Sequence, residues 1–230
     1  MNVHVGSSLR TAALVAGLGL LIMTIAAPFA ELYVFPKLVV PDNAAQTVRN
    51  ILANKSLFVS GIIGYLITFI CDILVAWALY LLLKSVNTGL SILTAWFRLV
   101  YTVVALAALL NLVTVFRMLH TAEYSALMGS DQLAVQVKIL LAAFRSGWHF
   151  GLIFFGLHLG LLGYLVFMST YIPRTLGILL IIAGLGYLVT SLRPYLFPNL
   201  NLDAAQYTFY GELIFMLWLL VKGSRIKEDQ

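Results

Sequence analysis

The sequence predicts an all-α, polytopic integral membrane protein: a six-transmembrane-helix bundle forming one membrane domain over residues 1–230, with short interfacial helices in its longer loops. Three observations predict it. The chain is 62% hydrophobic and only 10% charged, whereas a soluble domain is nearer half apolar and a quarter charged. Six apolar segments, at 11–35, 57–83, 88–116, 138–170, 174–196 and 206–222, approach or exceed the ~20 residues that a helical span needs. Finally, four ionisable residues inside those segments, one on each of four of them, fall at matching depth.

The first segment follows Arg10 and ends in Ala27-Pro28-Phe29-Ala30, which partly resembles a signal peptide with a small-residue cleavage site. Its apolar stretch is nearer a full span than a signal core and the chain begins at Met1, so a retained first transmembrane helix is expected. Prolines punctuate the segment ends at Pro36, Pro173 and Pro194 or Pro198. The short connections at 84–88 and 171–174 make antiparallel hairpins of helices 2/3 and 4/5. The segment 138–170 is longer than a bilayer requires and must tilt or begin outside the hydrocarbon. In the longer connection 36–56, Asp42 is placed to cap a short helix carrying Ala45, Val48, Ile51 and Leu52, flanked by Arg49 and Lys55. That pattern suits an amphipathic helix at the interface, with an ordinary ordered loop as the alternative.

Six spans put both termini on one side. Arg10, Lys84, Arg174, Lys222, Arg225 and Lys227 fall on that side, and Lys37, Arg49, Lys55, Arg117, Lys138 and Arg193 on the other. The basic count is tied, so the positive-inside rule does not decide. The short terminal-side loops and the Lys222–Lys227 tail favour termini in the cytoplasm. The formal net charge of +5 is spread along loops and tail, with no basic face to follow a phosphate backbone, so nucleic acid is not expected as a partner. The expected partners are membrane lipid, a small-molecule ligand, and a second copy or another membrane protein. The single cysteine, Cys71, supports no disulfide framework and reads as a small buried apolar residue.

Asp72, Arg98, His158 and Glu212 carry the functional argument. A charge in the hydrocarbon costs at least a few kcal/mol, roughly 2.5–3.5 for Asp or Arg at a helix centre, so such residues face a bundle interior or a wet cavity. Asp72 lies twelve residues before Lys84, Arg98 nine after Gly89, His158 fifteen before Pro173 and Glu212 ten before Lys222. At ~1.5 Å per residue all four fall within about two turns of one depth. Ser91, Thr94, Arg98 and Thr102 make a polar stripe on helix 3. Asp72–Arg98 is the natural salt bridge and serves most plainly to fix helix register. His158 and Glu212 are then the ligand contacts, with Thr94 and Thr102 beside them, or else hydrogen-bonded packing contacts. A second polar group, Glu31, Arg145, His149 and Arg193, lies towards the other end of the spans, where snorkelling to water is the plainer reading.

No metal or cofactor is expected. His149 and His158 are nine residues apart, on opposite faces of one helix and ~13 Å apart in depth, which disfavours a shared metal or a haem between them. Zinc on His158, Glu212 and Asp72 would suit by ligand type, but Arg98 in the same layer would repel it. No phosphate-binding loop, nucleophile elbow or HExxH motif occurs. Gly147/Gly151, Gly156/Gly160 with Gly163, and Gly177/Gly184 have the small-residue spacing of close helix packing.

Several stretches together resemble a known family. They are Arg10-Thr11-Ala12-Ala13, Asn50-Ile51-Leu52-Ala53 before Leu57-Phe58, Asp72 followed by Leu79-Tyr80-Leu81-Leu82, Gly156-Leu157-His158-Leu159-Gly160, Gly186-Tyr187-Leu188 and Leu217-Trp218-Leu219-Leu220. The resemblance is to the bacterial multi-pass membrane family known as domain of unknown function 4386, and it covers nearly the whole chain through diffuse motifs. It implies a bacterial cytoplasmic-membrane location and supplies no chemistry. The function expected is binding or movement of a small amphiphilic or charged solute at a mid-membrane polar pocket. An intramembrane enzyme using His158 and Glu212 on a lipid-soluble substrate, and a structural or regulatory subunit, are the alternatives.

Overall fold

The computed structural model describes residues 5–121, 124, 128–196 and 207–226, and every regular element among them is helical. Segments apolar on all sides leave no polar face for water, and in lipid a helix satisfies its own backbone groups. Helix α1 (Val5–Pro28) continues through a π-helical stretch, Phe29–Val34, into the short α2 (Phe35–Leu38). Then follow α3 (Ala44–Ala53), α4 (Lys55–Leu83), α5 (Thr88–His120), α6 (Ser130–Met168), α7 (Arg174–Leu196) and α8 (Tyr210–Lys222). Pro198, Lys227 and the connection 197–206 lie outside the described residues.

Five helices among the described residues are long and apolar enough to cross a membrane: Leu9–Leu38, Lys55–Leu83, Thr88–His120, Ser130–Met168 and Arg174–Leu196. This makes the protein a multi-pass membrane protein and corrects the expected count of six. Among the described residues the last segment forms the 13-residue α8, roughly 20 Å at ~1.5 Å per residue, against a hydrocarbon core of ~30 Å. The even-number argument for termini on one side loses its support with it. Helix α6 has 39 residues and starts eight residues before the expected span, in the polar sequence Ser130-Asp131-Gln132.

Two corrections concern the end of the first span. Pro36 does not stop the helix. It has no N–H to donate to the Leu32 carbonyl, and the chain accommodates this locally by widening: the Phe35 N–H bonds to the Ala30 carbonyl, five residues back. The cap of α3 is Asn43, whose side chain accepts from the Gln46 N–H at 2.9 Å. Asp42 instead takes a left-handed φ of 58°. Thr47 straps α3 to the chain before it, accepting from the Val40 N–H at 3.0 Å and donating to the Asn43 carbonyl at 3.0 Å.

The chain divides into two compact units. The first comprises Met1–Ile22, Cys71–Thr102 and His149–Gln230. In it, the turn after α4 is closed by Asn87, whose side chain accepts from the Leu90 N–H at 2.9 Å to cap α5. Glycines let α6 and α7 meet backbone to backbone. A Cβ on Gly163 would stand 2.5 Å from the Gly177 carbonyl oxygen, and one on Gly184 2.7 Å from the Gly156 carbonyl oxygen. Gly163→Ala is therefore expected to cost about 1–3 kcal/mol, as overpacking against an immobile backbone does. Unfolding in detergent micelles checks this, with Gly160→Ala as the control, since a Cβ there meets nothing within 4 Å.

The second unit comprises Met23–Ile70 and Val103–Trp148. Its core is aromatic. Tyr65 packs on Phe35, Phe144 and Trp148 at centroid distances of 5.6, 5.0 and 5.1 Å.

Candidate functional site

The first unit holds the polar layer. Asp72 on α4, Arg98 on α5 and His158 on α6 are each no more than 1% exposed. Arg98 Nη2 lies 2.7 Å from Asp72 Oδ1, an ion pair as the sequence suggests. Arg98 Nη1 contacts His158 Nε2 at 3.1 Å, and His158 Nδ1 contacts the Thr94 carbonyl at 2.9 Å. A carbonyl only accepts, so Nδ1 carries the imidazole proton. Nε2 then presents its lone pair to the guanidinium. The guanidinium also lies over the Phe155 ring, 5.3 Å from its centroid, a cation–π contact that is stronger away from water.

These bonds decide what the layer can do. Both nitrogens of His158 are engaged, so it holds Arg98 in place and has no lone pair left for a metal or substrate. Thr94 and Thr102 donate to the carbonyls of Leu90 and Arg98, at 2.7 and 2.8 Å. Such bonds, one turn back along the same helix, spend the hydroxyl proton. The polar stripe is therefore largely satisfied within α5.

Glu212, in the first turn of α8, differs. Its carboxyl is hydrogen-bonded by Tyr187 of α7, a residue whose role only the three-dimensional pairing reveals. Glu212 Oε1 is buried with no hydrogen-bond partner among the described residues. Glu212 and Arg98 border a void of only 10 Å³, walled by Leu20, Leu159, Leu180 and Phe215. That is room for roughly one water molecule and no larger solute. A second gap, bordered by Ser91, Thr94 and His158, has no room even for a water molecule. Among the described residues, no three His, Cys, Asp or Glu side chains come together as metal ligands would.

The second unit holds the space that the layer lacks. A half-open groove of 530 Å³ lies between the chain from Phe35 to Thr47 and the α6 residues Val137 to Arg145. This volume falls within the roughly 300–1,000 Å³ typical of small-molecule sites. Phe35 and Phe144, stacked at 6.1 Å, belong both to its lining and to the aromatic core of the unit. Val39, Val40, Val137 and Leu141 add apolar walls, and Asp42, Lys138 and Arg145 supply charge.

Those charges are loosely paired. Lys138 Nζ lies 3.6 Å from Asp42 Oδ1, and Arg145 Nη2 lies 3.6 Å from Glu31 Oε1, with both cations more than half exposed. Glu31 sits on the π-helical stretch and accepts a 2.5 Å hydrogen bond from the buried Tyr65 hydroxyl through its other oxygen. Of the expected polar group Glu31, Arg145, His149 and Arg193, the first two pair within the second unit. His149, exposed, and Arg193, partly exposed, belong to the first unit. Tyr65, which donates to Glu31, and Asp42, which pairs with Lys138, join these contacts although the sequence pattern did not group them with Glu31 or Arg145. A Pro28–Pro36 interval bracketing Glu31 is the sequence signal that could have pointed there.

A family model described as a domain of unknown function, DUF4386, matches residues 15–223. An uncharacterized protein of Archaeoglobus fulgidus is 35% identical over 177 residues, which cover 77% of this chain and 92% of that protein. No solved structure matches the chain.

Proposed function

Because the chain belongs to the family described as domain of unknown function DUF4386, whose description names no activity, we propose its function from its own geometry: it binds a small amphiphile in the groove of the second unit. The observation that carries this reading is the contrast in space, 530 Å³ in the groove against 10 Å³ beside the polar layer. The groove also has the lining of a ligand site, an aromatic and aliphatic floor with a few charges at its edge. The layer of Asp72, Arg98 and His158 has the opposite character, internally paired and closed to solutes, and serves to hold α4, α5 and α6 in register. Binding is preferred to catalysis because acid–base work by His158 would require it to surrender one of its two hydrogen bonds.

The membrane is a cytoplasmic one, since spans of this kind are helical and outer-membrane proteins are characteristically closed barrels. Residues 36–56 and the start of α6 then meet the membrane surface, where an amphiphile could enter the groove from the lipid.

Trp148 is the natural reporter, because its ring lies 5.8 Å from that of the groove residue Phe144. In a chain with Trp77, Trp96 and Trp218 replaced by Phe, a brominated single-chain amphiphile is expected to quench Trp148 saturably. Quenching that rises linearly with the bromine content of the bilayer, without saturation, would show that no site exists.

A further inference from the structure

The groove has a charge pattern that narrows its ligand. Lys138 and Arg145 are seven residues apart on α6, so they project from one face about 10 Å apart along the axis. Both line the groove, and among its lining residues Asp42 is the one carboxylate. Each cation meets its acid at 3.6 Å and each is more than half exposed, at 60% for Lys138 and 56% for Arg145. Exposed pairs of this kind contribute little, so exchanging the partner costs little. Nor would either acid be stranded by the exchange. Asp42 is 98% exposed and solvated, and Glu31 keeps its hydrogen bond from Tyr65. The cations can turn to a ligand while the carboxylates stay satisfied.

Resting on the reading of the groove as an amphiphile site, we propose that its ligand is a single-chain membrane amphiphile with a phosphate head group. The phosphate sits between Lys138 and Arg145, and the chain lies on Phe35, Leu141 and Phe144. Two cations suit a phosphomonoester, which carries about −1.5 to −2 charges at neutral pH, better than a carboxylate, which needs one. The planar guanidinium of Arg145 can grip two phosphate oxygens at once, and Lys138 adds a point charge. The left-handed backbone at Asp42 keeps that acid at the rim, opposite Lys138, where it turns to water when the phosphate arrives.

The test uses the full chain in nanodiscs of zwitterionic lipid, with Trp148 quenching as the readout. The probes are brominated dodecyl phosphate, the matching carboxylate and the matching maltoside, with unlabelled inorganic phosphate as competitor. The phosphate amphiphile is expected to bind at least tenfold more tightly than the maltoside. Arg145→Gln and Lys138→Gln should each lower alkyl phosphate affinity far more than maltoside affinity, removing most of that advantage. Both side chains are more than half exposed, so the variants keep the fold, and saturable maltoside binding together with unaltered unfolding in detergent micelles verifies it. A carboxylate as tight as the phosphate, or an advantage that survives the double variant, would overturn the phosphate assignment and leave amphiphile binding standing. Displacement by inorganic phosphate at the concentration at which the alkyl phosphate binds would overturn the role of the chain. Absence of saturable quenching by any of the three probes would remove both this inference and the reading beneath it.

Discussion

Replacing Arg98 by Met is expected to destabilise the protein by ~3–5 kcal/mol, the usual cost of removing one partner of a buried ion pair. Asp72 is fully buried, with Oδ2 already lacking a hydrogen-bond partner among the described residues. Loss of the guanidinium would leave its charge uncompensated in an apolar surrounding. It would also leave the His158 Nε2 lone pair facing nothing. Asp72→Ala should cost a similar amount, because it leaves Arg98 buried as a net cation. The double variant is the informative one. With both charges gone the desolvation cost goes too, so the combined loss should fall short of the sum by at least ~1 kcal/mol, within the range found for residues in one network. Reversible unfolding in detergent micelles measures all three. Strict additivity would mean that Asp72 and Arg98 do not act as a pair.

The fold and this pair were legible in the sequence for the same reason. Lipid imposes a ~20-residue apolar rule on spans, and charges that break the rule stand out. Depth counting from Lys84, Gly89 and Pro173 placed Asp72, Arg98 and His158 together because helical rise is constant. What it could not supply was the direction of each bond. The sequence suggests His158 as a ligand contact, but its two nitrogens go to Arg98 and to the Thr94 carbonyl, and that carbonyl is invisible to side-chain patterns. The last segment misled because hydropathy alone does not say how much of an apolar run becomes helix, and here the described helix has 13 residues. The groove was the larger omission. It depends on where Asn43 caps α3 and on how the chain widens at Phe29–Val34 before Pro36. These backbone details bring Phe35, Asp42 and Thr47 to face α6, and periodicity does not encode them.

Filling the groove is the second large effect expected. Ala142 lines it and is exposed, so Ala142→Trp adds an aromatic ring to the open space without displacing the core. Amphiphile affinity should fall at least tenfold, or about 1.4 kcal/mol, while unfolding stability changes by no more than ~0.5 kcal/mol, as for surface substitutions. Glu212→Gln is the counterpart in the polar layer. It turns the carboxyl whose Oε1 has no hydrogen-bond partner among the described residues into an amide, and a void of 10 Å³ beside it has no room for an amphiphile. The measurement that bears most directly on the assignment is therefore the affinity of one radiolabelled alkyl phosphate for the parent chain, Ala142→Trp and Glu212→Gln in nanodiscs, read by scintillation proximity because bromine would also quench the introduced Trp. Binding lost in Ala142→Trp and kept in Glu212→Gln is the result expected. Binding kept in Ala142→Trp and lost in Glu212→Gln would place the ligand at the polar layer and contradict the groove.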